Sequence, residues 1–190
     1  MLILVTGLVI FLGVHSISIV APAWRDAMAG RLGLAAWKGL YALASIAGFA
    51  LLVWGYGLAR QDPVVLYQPP TWARHAVALL MLPVFPLLLA AYFPGRIRAA
   101  VKHPMLAATQ AWAVAHLLAN GMLADVLLFG GFLTWAVLDR ISVGKRPARA
   151  LAGASPRPLN DWIAVVGGLA IYGLFVSVLH VRLAGVALMP

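Results

Sequence analysis

Long apolar runs, separated by short polar connectors, set the pattern of this chain. Apolar residues dominate positions 2–20, 39–58, 74–93, 104–138 and 162–181. A helix needs about 20 such residues to cross a bilayer. The pattern therefore predicts an all-α fold, a polytopic transmembrane helical bundle whose connectors lie at the membrane surfaces.

The run 104–138 decides the number of crossings. As one helix it would be roughly 50 Å long, which exceeds a single crossing of a hydrocarbon core about 30 Å thick. The pair Asn120–Gly121 offers a turn near its middle. We therefore predict two short spans, 104–119 and 122–138, and six spans in all. Pro22 should end the first span, and Pro83 and Pro86 should kink the third.

The distribution of positive charge agrees with six spans. The chain has 14 Lys and Arg residues, 5 Asp residues and a net charge of +9. With six spans, all but three of these cations fall in the connectors after spans one, three and five; the exceptions are Arg60, Arg74 and Arg182. Lys and Arg concentrate on the cytoplasmic side of a membrane, so both termini are predicted to be non-cytoplasmic. Membrane orientation accounts for the charge, and we expect no nucleic acid as a partner.

Composition narrows the class of protein further. The chain has 190 residues, of which 64% are hydrophobic and 10% charged, whereas a soluble domain carries about 25% charged residues. We predict one membrane domain over 1–190, with the lipid bilayer as its surroundings. The first 20 residues lack the basic start of a cleavable signal peptide. Cysteine is absent, which excludes iron–sulfur clusters and thiolate ligation of haem.

Two connectors and the small residues carry further predictions. Segment 23–37 fits either a short helix on the anionic leaflet or an ordinary basic loop, and 139–161 should be a mobile cytoplasmic loop. Tryptophans near span ends, Trp135 among them, should anchor the spans at the interface. Small residues should allow close helix contact; they are Ala44, Gly48, Gly55, Gly57, Gly167, Gly168 and Gly173.

Two histidines lie inside apolar runs, His15 and His116. An ionisable side chain inside a membrane span needs a partner or a function. One interpretation is a hydrogen bond to a neighbouring helix. The other is axial ligation of haem, which helical bundles hold between facing helices. His75 and His180 lie at span ends, where solvated histidines are common.

His103 lies in Lys102-His103-Pro104, which should open the fourth span because proline fits the first turn of a helix. It fits either a capping residue or an anion contact. His103 and His116 are 13 residues apart on one helix, roughly 20 Å, so they cannot share an iron. A second ligand must come from another span, and His15 is the natural candidate. Depth alone does not decide whether it pairs with His116 or His103.

Other residues could complete a haem site. Gly13 would let a flat macrocycle approach the backbone, and Lys102, with Arg96 and Arg98, could receive the haem propionates. Asp125, near the start of span five, fits a helix-start residue or a proton relay.

Several motifs together resemble the NnrU family of membrane proteins. They are GVHS at 13–16, WKGLY at 37–41, VWGYG at 53–57, KHP at 102–104, AHLLANG at 115–121 and DVLLFGGF at 125–132. The resemblance covers spans one to five well and span six loosely. It implies the inner (cytoplasmic) membrane of a bacterium and a role in denitrification, in support of nitrite and nitric oxide reduction.

The resemblance also implies a cofactor. A plant relative of the family, 15-cis-zeta-carotene isomerase, is a haem b protein whose two ligand histidines match His15 and His116. That relative has a cysteine three residues before its second histidine, where this chain has Ala113. The resemblance therefore implies haem b at His15 and His116, used for redox sensing, electron transfer or nitric oxide contact, without a thiolate switch.

Two other functions stay open. The protein could be a membrane isomerase acting on a carotenoid-like hydrophobic substrate, or a non-catalytic assembly factor for a respiratory or denitrification complex. Lys102-His103-Pro104 also resembles the Arg-His-Pro motif of isoprenylcysteine-type methyltransferases. Those enzymes use a downstream glutamate, and this chain has no glutamate, which argues against methyl transfer.

Overall fold

The computed structural model describes residues 1–146 and 153–185, which fold into helices joined by short connectors. The helices in chain order are α1 (Leu2–Val20), α2 (Pro22–Leu32), α3 (Leu34–Ala59), α4 (Ala73–Met81), α5 (Val84–Tyr92), α6 (Arg96–Val101), α7 (Pro104–Ala119), α8 (Leu123–Val143) and α9 (Leu159–Leu183). Within α9, Ile163–Gly167 and Phe175–Leu179 have π-helical hydrogen bonding.

Within the described residues, five helical stretches are long and apolar enough to cross a membrane: α1, α3, α4 with α5, α8, and α9. Helix α7 has 16 residues, roughly 24 Å. The all-helical prediction is confirmed, and so is the division of 104–138, because α7 ends at Ala119 and α8 begins at Leu123. Helix α8 continues to Val143, so residues 139–143 are helix, not loop.

Prolines mark helix boundaries at two of the three predicted positions. Helix α1 ends before Pro22, as predicted, and Pro22 starts α2. The third span breaks between Met81 and Val84, at Pro83. Pro86 lies in the first turn of α5, where its missing N–H has no intrahelical partner to lose. The predicted kink therefore forms at Pro83 and not at Pro86.

Segment 23–37 is largely helical, since α2 covers Pro22–Leu32. Its helical conformation is confirmed against the basic-loop interpretation, and its position on the anionic leaflet stays a prediction. The prediction of a mobile loop at 139–161 falls partly on residues 147–152, which lie outside the described residues.

The chain forms two compact units. The first comprises residues 1–70 and 116–146, and the second comprises 71–115 and 153–185. In the first unit, α1 packs along α3 and also contacts α8. In the second, α5 packs against α9.

Glycines allow the closest helix approach in the first unit. A Cβ on Gly55 would come within 2.6 Å of the Leu4 Cα, and one on Gly48 within 2.7 Å of the Phe11 backbone nitrogen. Real Cβ atoms do not approach backbone this closely, so the α1–α3 contact depends on these glycines. Gly57 has open space around it. The prediction of glycine-mediated packing is confirmed for Gly48 and Gly55 but not for Gly57.

The second unit has a close glycine contact between helices and two polar anchors. A Cβ on Gly168 of α9 would lie 2.6 Å from the Pro86 Cα of α5. At the start of α9, the Asp161 carboxylate accepts hydrogen bonds from the backbone N–H groups of Arg96 (2.9 Å) and Ile97 (3.0 Å). Asn160, which is buried, donates to the Pro94 carbonyl at 2.8 Å. The start of α9 is thereby held on the α5–α6 connector.

Candidate functional site

His15 lies in the first unit among aromatic side chains from three helices. Its ring stacks on Phe11, one turn earlier in α1, with centroids 4.3 Å apart. Tyr41 of α3 lies 5.2 Å away, and Trp135 of α8 meets the imidazole edge-on at 5.9 Å. Three helices therefore fix the position of the imidazole, which is half-buried.

A hydrogen bond fixes the tautomer of His15. Its Nδ1 lies 2.7 Å from the Phe11 carbonyl oxygen. A carbonyl can only accept, so Nδ1 carries a proton, and in a neutral imidazole the lone pair is then on Nε2. A histidine that binds a metal usually has this arrangement, with its other ring nitrogen donating to a carbonyl or carboxylate.

The indole N–H of Trp135 is a buried donor without an acceptor. Its Nε1 is buried and has no hydrogen-bond partner within residues 1–146 and 153–185. A buried unpaired donor costs about 1–3 kcal/mol. The donor lies on the ring that contacts His15, so the surroundings of His15 fit a bound group that brings an acceptor.

His116 lies in the last turn of α7, also in the first unit, and stacks on Phe129 of α8 with centroids 4.6 Å apart. Both imidazoles therefore lie against α8. The residues they contact there, Phe129 and Trp135, are six positions apart, which is roughly 9 Å along the helix axis. The two imidazoles therefore contact α8 at different heights along its axis, and shared binding of one iron would require them to reach across this distance.

A tight turn positions His116. The carbonyl of His116 accepts hydrogen bonds from the Asn120 backbone N–H and from its side-chain amide, both at 2.9 Å. The Gly121 carbonyl then accepts from the backbone N–H of Leu66 at 2.8 Å. This pairing includes an antiparallel bridge between Val65 and Met122. The connector after α3 thereby holds the α7–α8 turn that the Asn120–Gly121 pair predicted.

Tyr67 strengthens that attachment. Its hydroxyl lies against two carbonyls at the end of α7, those of Leu117 and Asn120, the latter at 2.7 Å. Partial burial, followed by the nearby negative charge of Asp125, raises the pKa of Tyr67 above its ordinary value. The hydroxyl therefore keeps the proton that it donates.

Asp125 lies at the start of α8 and is only 2% exposed. One carboxylate oxygen accepts the Tyr56 hydroxyl at 2.6 Å, and the other accepts the backbone N–H of Met122 at 3.0 Å. The carboxylate thus caps the first turn of α8, as the helix-start interpretation predicted, and ties α8 to α3. Tyr56 is an anchor that sequence reasoning missed.

The three other residues predicted for cofactor binding are Gly13, Lys102 and His103. Gly13 is exposed, with open space where a Cβ would be, and two residues of helix place it roughly 200° around α1 from His15. Lys102 and His103 belong to the second unit. The roles of all three in cofactor binding stay predictions.

The backbone at Lys102 adopts a rare conformation. Its φ is 64° and its ψ −51°, and the N–H of His103 donates to the Val101 carbonyl at 2.7 Å. These values describe a tight γ-turn, which is strained for a residue with a Cβ. The His103 carbonyl accepts the first hydrogen bond of α7, from Ala107 at 3.1 Å. The prediction that Lys102-His103-Pro104 opens this helix is confirmed.

Comparison with known proteins identifies the family. The family model described as NnrU protein matches residues 3–188. The chain belongs to the NnrU family. No curated protein matches it, and no solved structure does. The NnrU match extends over the sixth predicted span, where the resemblance of the motifs was loose.

Sequence reasoning missed the aromatic surroundings of His15. Trp135 was expected to be an interfacial anchor, yet it packs on His15 with its indole nitrogen buried. A signal was present in the spacing of Phe129, Phe132 and Trp135, which recur every three residues on α8. Residues three apart on a helix are neighbours, and His15 and His116 each contact one member of this row.

Proposed function

We propose that this NnrU protein binds haem b through His15 and His116 and supports nitrite and nitric oxide reduction in the inner membrane of a denitrifying bacterium. The observation that carries the proposal is the state of His15. Its Nδ1–H is bound to a carbonyl, which would leave Nε2 of the neutral ring to act as the ligand, and it contacts the Trp135 ring, whose buried N–H has no partner within the described residues.

The two histidines would suit haem because the macrocycle brings four nitrogens of its own, so the protein would need to supply few further ligands. Haem would supply one-electron transfer or a binding position for nitric oxide. The hydrogen bond to the Phe11 carbonyl keeps the proton of a neutral His15 on Nδ1. The lone pair of Nε2 would then be available to the iron. The rings of Phe11, Tyr41 and Phe129 pack against the two imidazoles and cover part of their surface.

The topology that we propose with this function has six crossings and both termini outside the cytoplasm. Helix α7 would be the sixth crossing, beside the five long stretches. The bias of Lys and Arg toward one set of connectors supports this orientation. The cationic ends of α1, α3 and α8 would then face the cytoplasm.

Absorption spectroscopy tests the haem proposal. The full-length protein, purified in detergent from cells supplied with haem precursor, should show a Soret band and a pyridine haemochrome of type b. His15→Ala and His116→Ala should each lower the haem content by more than half. His75→Ala is the matched control, because His75 is exposed and lies in the second unit.

The outcomes separate the candidates. A colourless, iron-free wild-type protein that co-purifies with a reductase would contradict haem binding and favour an assembly factor. Haem that is retained in both single variants but lost in the His103 variant would move the site to the second unit. An isomerase should convert a poly-cis carotene when expressed in cells that accumulate it.

The plant isomerase has a cysteine at the position of Ala113, which is fully buried in α7 of this chain.

A further inference from the structure

A cationic cleft opens at the end of α1, beside His15 but separate from it. Its volume is about 250 Å³. Its walls come from α1, from α2 and from the first turns of α3. The lining residues that matter are Ser18, Arg25, Trp37, Lys38 and Tyr41. We propose that this cleft binds the phosphate of an anionic phospholipid headgroup.

The charges around the cleft favour an anion. Arg25 is largely covered, with 21% of its side chain exposed, and it lies 5.8 Å from the centre of the Trp37 ring. It pairs with Asp26 at 2.9 Å, but Asp26 is 57% exposed. A guanidinium has five N–H donors, so this one contact leaves donors for a phosphate. No ion pair of Lys38 is present within the described residues.

A second arginine contacts Ser18, a residue that lines the cleft. Arg146, which follows α8, donates to the Ser18 carbonyl at 2.6 Å and to Asp139, also at 2.6 Å. The three cations Arg25, Lys38 and Arg146 outnumber the two carboxylates Asp26 and Asp139 by one charge. The Tyr41 hydroxyl, with no hydrogen-bond partner among the described residues, adds a neutral donor at the wall. The cleft therefore offers several donors and a net positive charge to one anion.

The position of the cleft identifies the anion as a lipid phosphate. It lies where two membrane-length helices, α1 and α3, end and begin, which is the level of the headgroups. Two tryptophans mark the same level, because Trp24 and Trp37 meet edge-to-face at 6.0 Å and indoles favour the membrane interface. A phosphate that binds arginine and lysine together there would belong most readily to a headgroup.

Lipid titration of the full-length protein in detergent tests the proposal. Native mass spectrometry would count bound molecules of short-chain phosphatidylglycerol and of phosphatidylcholine. We expect phosphatidylglycerol to bind more tightly, and we expect Lys38→Gln and Arg25→Gln each to weaken its binding about fivefold. Arg31→Gln is the matched control, since it removes the same charge from α2 outside the cleft.

Two further measurements test the role of the Tyr41 hydroxyl and the source of the phosphate. Tyr41→Phe keeps the ring beside His15 and removes the hydroxyl, so it should weaken binding without loss of the fold, as circular dichroism would show. Inorganic phosphate that displaces phosphatidylglycerol at equal concentration would support phosphate binding but identify a soluble source. Equal binding of the two lipids, or equal weakening by Arg31→Gln and Lys38→Gln, would overturn the proposal, with no bearing on haem.

Discussion

Single polar groups inside apolar helices have specific partners in this protein. The His15 Nδ1–H has the Phe11 carbonyl, and the Asp125 carboxylate has the Tyr56 hydroxyl and a backbone N–H. Within residues 1–146 and 153–185 the exception is the buried Trp135 indole, whose N–H has no acceptor there. Because burying an unpaired polar group costs free energy, this exception is where a bound group has the most to contribute.

Trp135→Phe tests that exception. The free protein should be as stable as wild type or up to about 1–3 kcal/mol more stable, because the change removes an unpaired buried donor. Haem retention should fall, since the bound group loses a donor. Unfolding in mixed micelles measures the first effect and the Soret absorbance after gel filtration the second. Trp162→Phe, on an exposed tryptophan, is the control. Unchanged retention would remove Trp135 from the site.

The Tyr56–Asp125 hydrogen bond should be an energetic link between α3 and α8. A double-mutant cycle of Tyr56→Phe and Asp125→Asn, measured by unfolding in mixed micelles, should give a coupling energy of about 1–2 kcal/mol. A coupling near zero would mean that the two residues stabilise their helices independently.

At the scale of elements, close packing depends on where a glycine faces. Gly55 and Gly57 lie two residues apart in α3, yet only Gly55 meets the backbone of α1. Neighbouring positions on a helix point in different directions, so the same residue type has different effects at the two sites. The Asn120–Gly121 turn also depends on its neighbour, because residues 64–67 form backbone hydrogen bonds with residues 121–123.

The glycine pair offers a matched test. Gly55→Ala should lower the free energy of unfolding by about 3 kcal/mol, because the methyl group would meet backbone atoms that cannot move aside. Gly57→Ala should change it by less than about 1 kcal/mol. Unfolding of both variants in mixed micelles measures the difference. Similar values for the two would show that α1 and α3 do not pack in this register.

At the scale of the whole molecule, the orientation in the membrane follows from charge and helix length together. The helices limit where the chain can cross, and the positive-inside rule predicts that the cationic connectors stay in the cytoplasm. The chain has no cysteine, so single cysteines can report the side of each connector without further changes.

Two single-cysteine variants test the orientation. Asp62→Cys should react with a membrane-impermeant maleimide in intact spheroplasts. Gly30→Cys, in α2, should react only after the membrane is permeabilised. Both positions are exposed and Gly30 has open space around it, so neither change should disturb packing. The reverse pattern of labelling would invert the topology, and equal labelling of both would rule out an odd number of crossings between them.

The sequence by itself determined the helical class, the position of most spans, the turn at Asn120–Gly121 and the family. These properties depend on local patterns: the length of an apolar run, the turn chemistry of Asn-Gly and the order of short motifs. Tertiary structure alone decided that Trp135 packs on His15, that Tyr56 binds Asp125, and that Arg25 and Lys38 line one cleft. Those contacts join different helices, and the face that a helix turns to its neighbour depends on the packing of the unit as a whole.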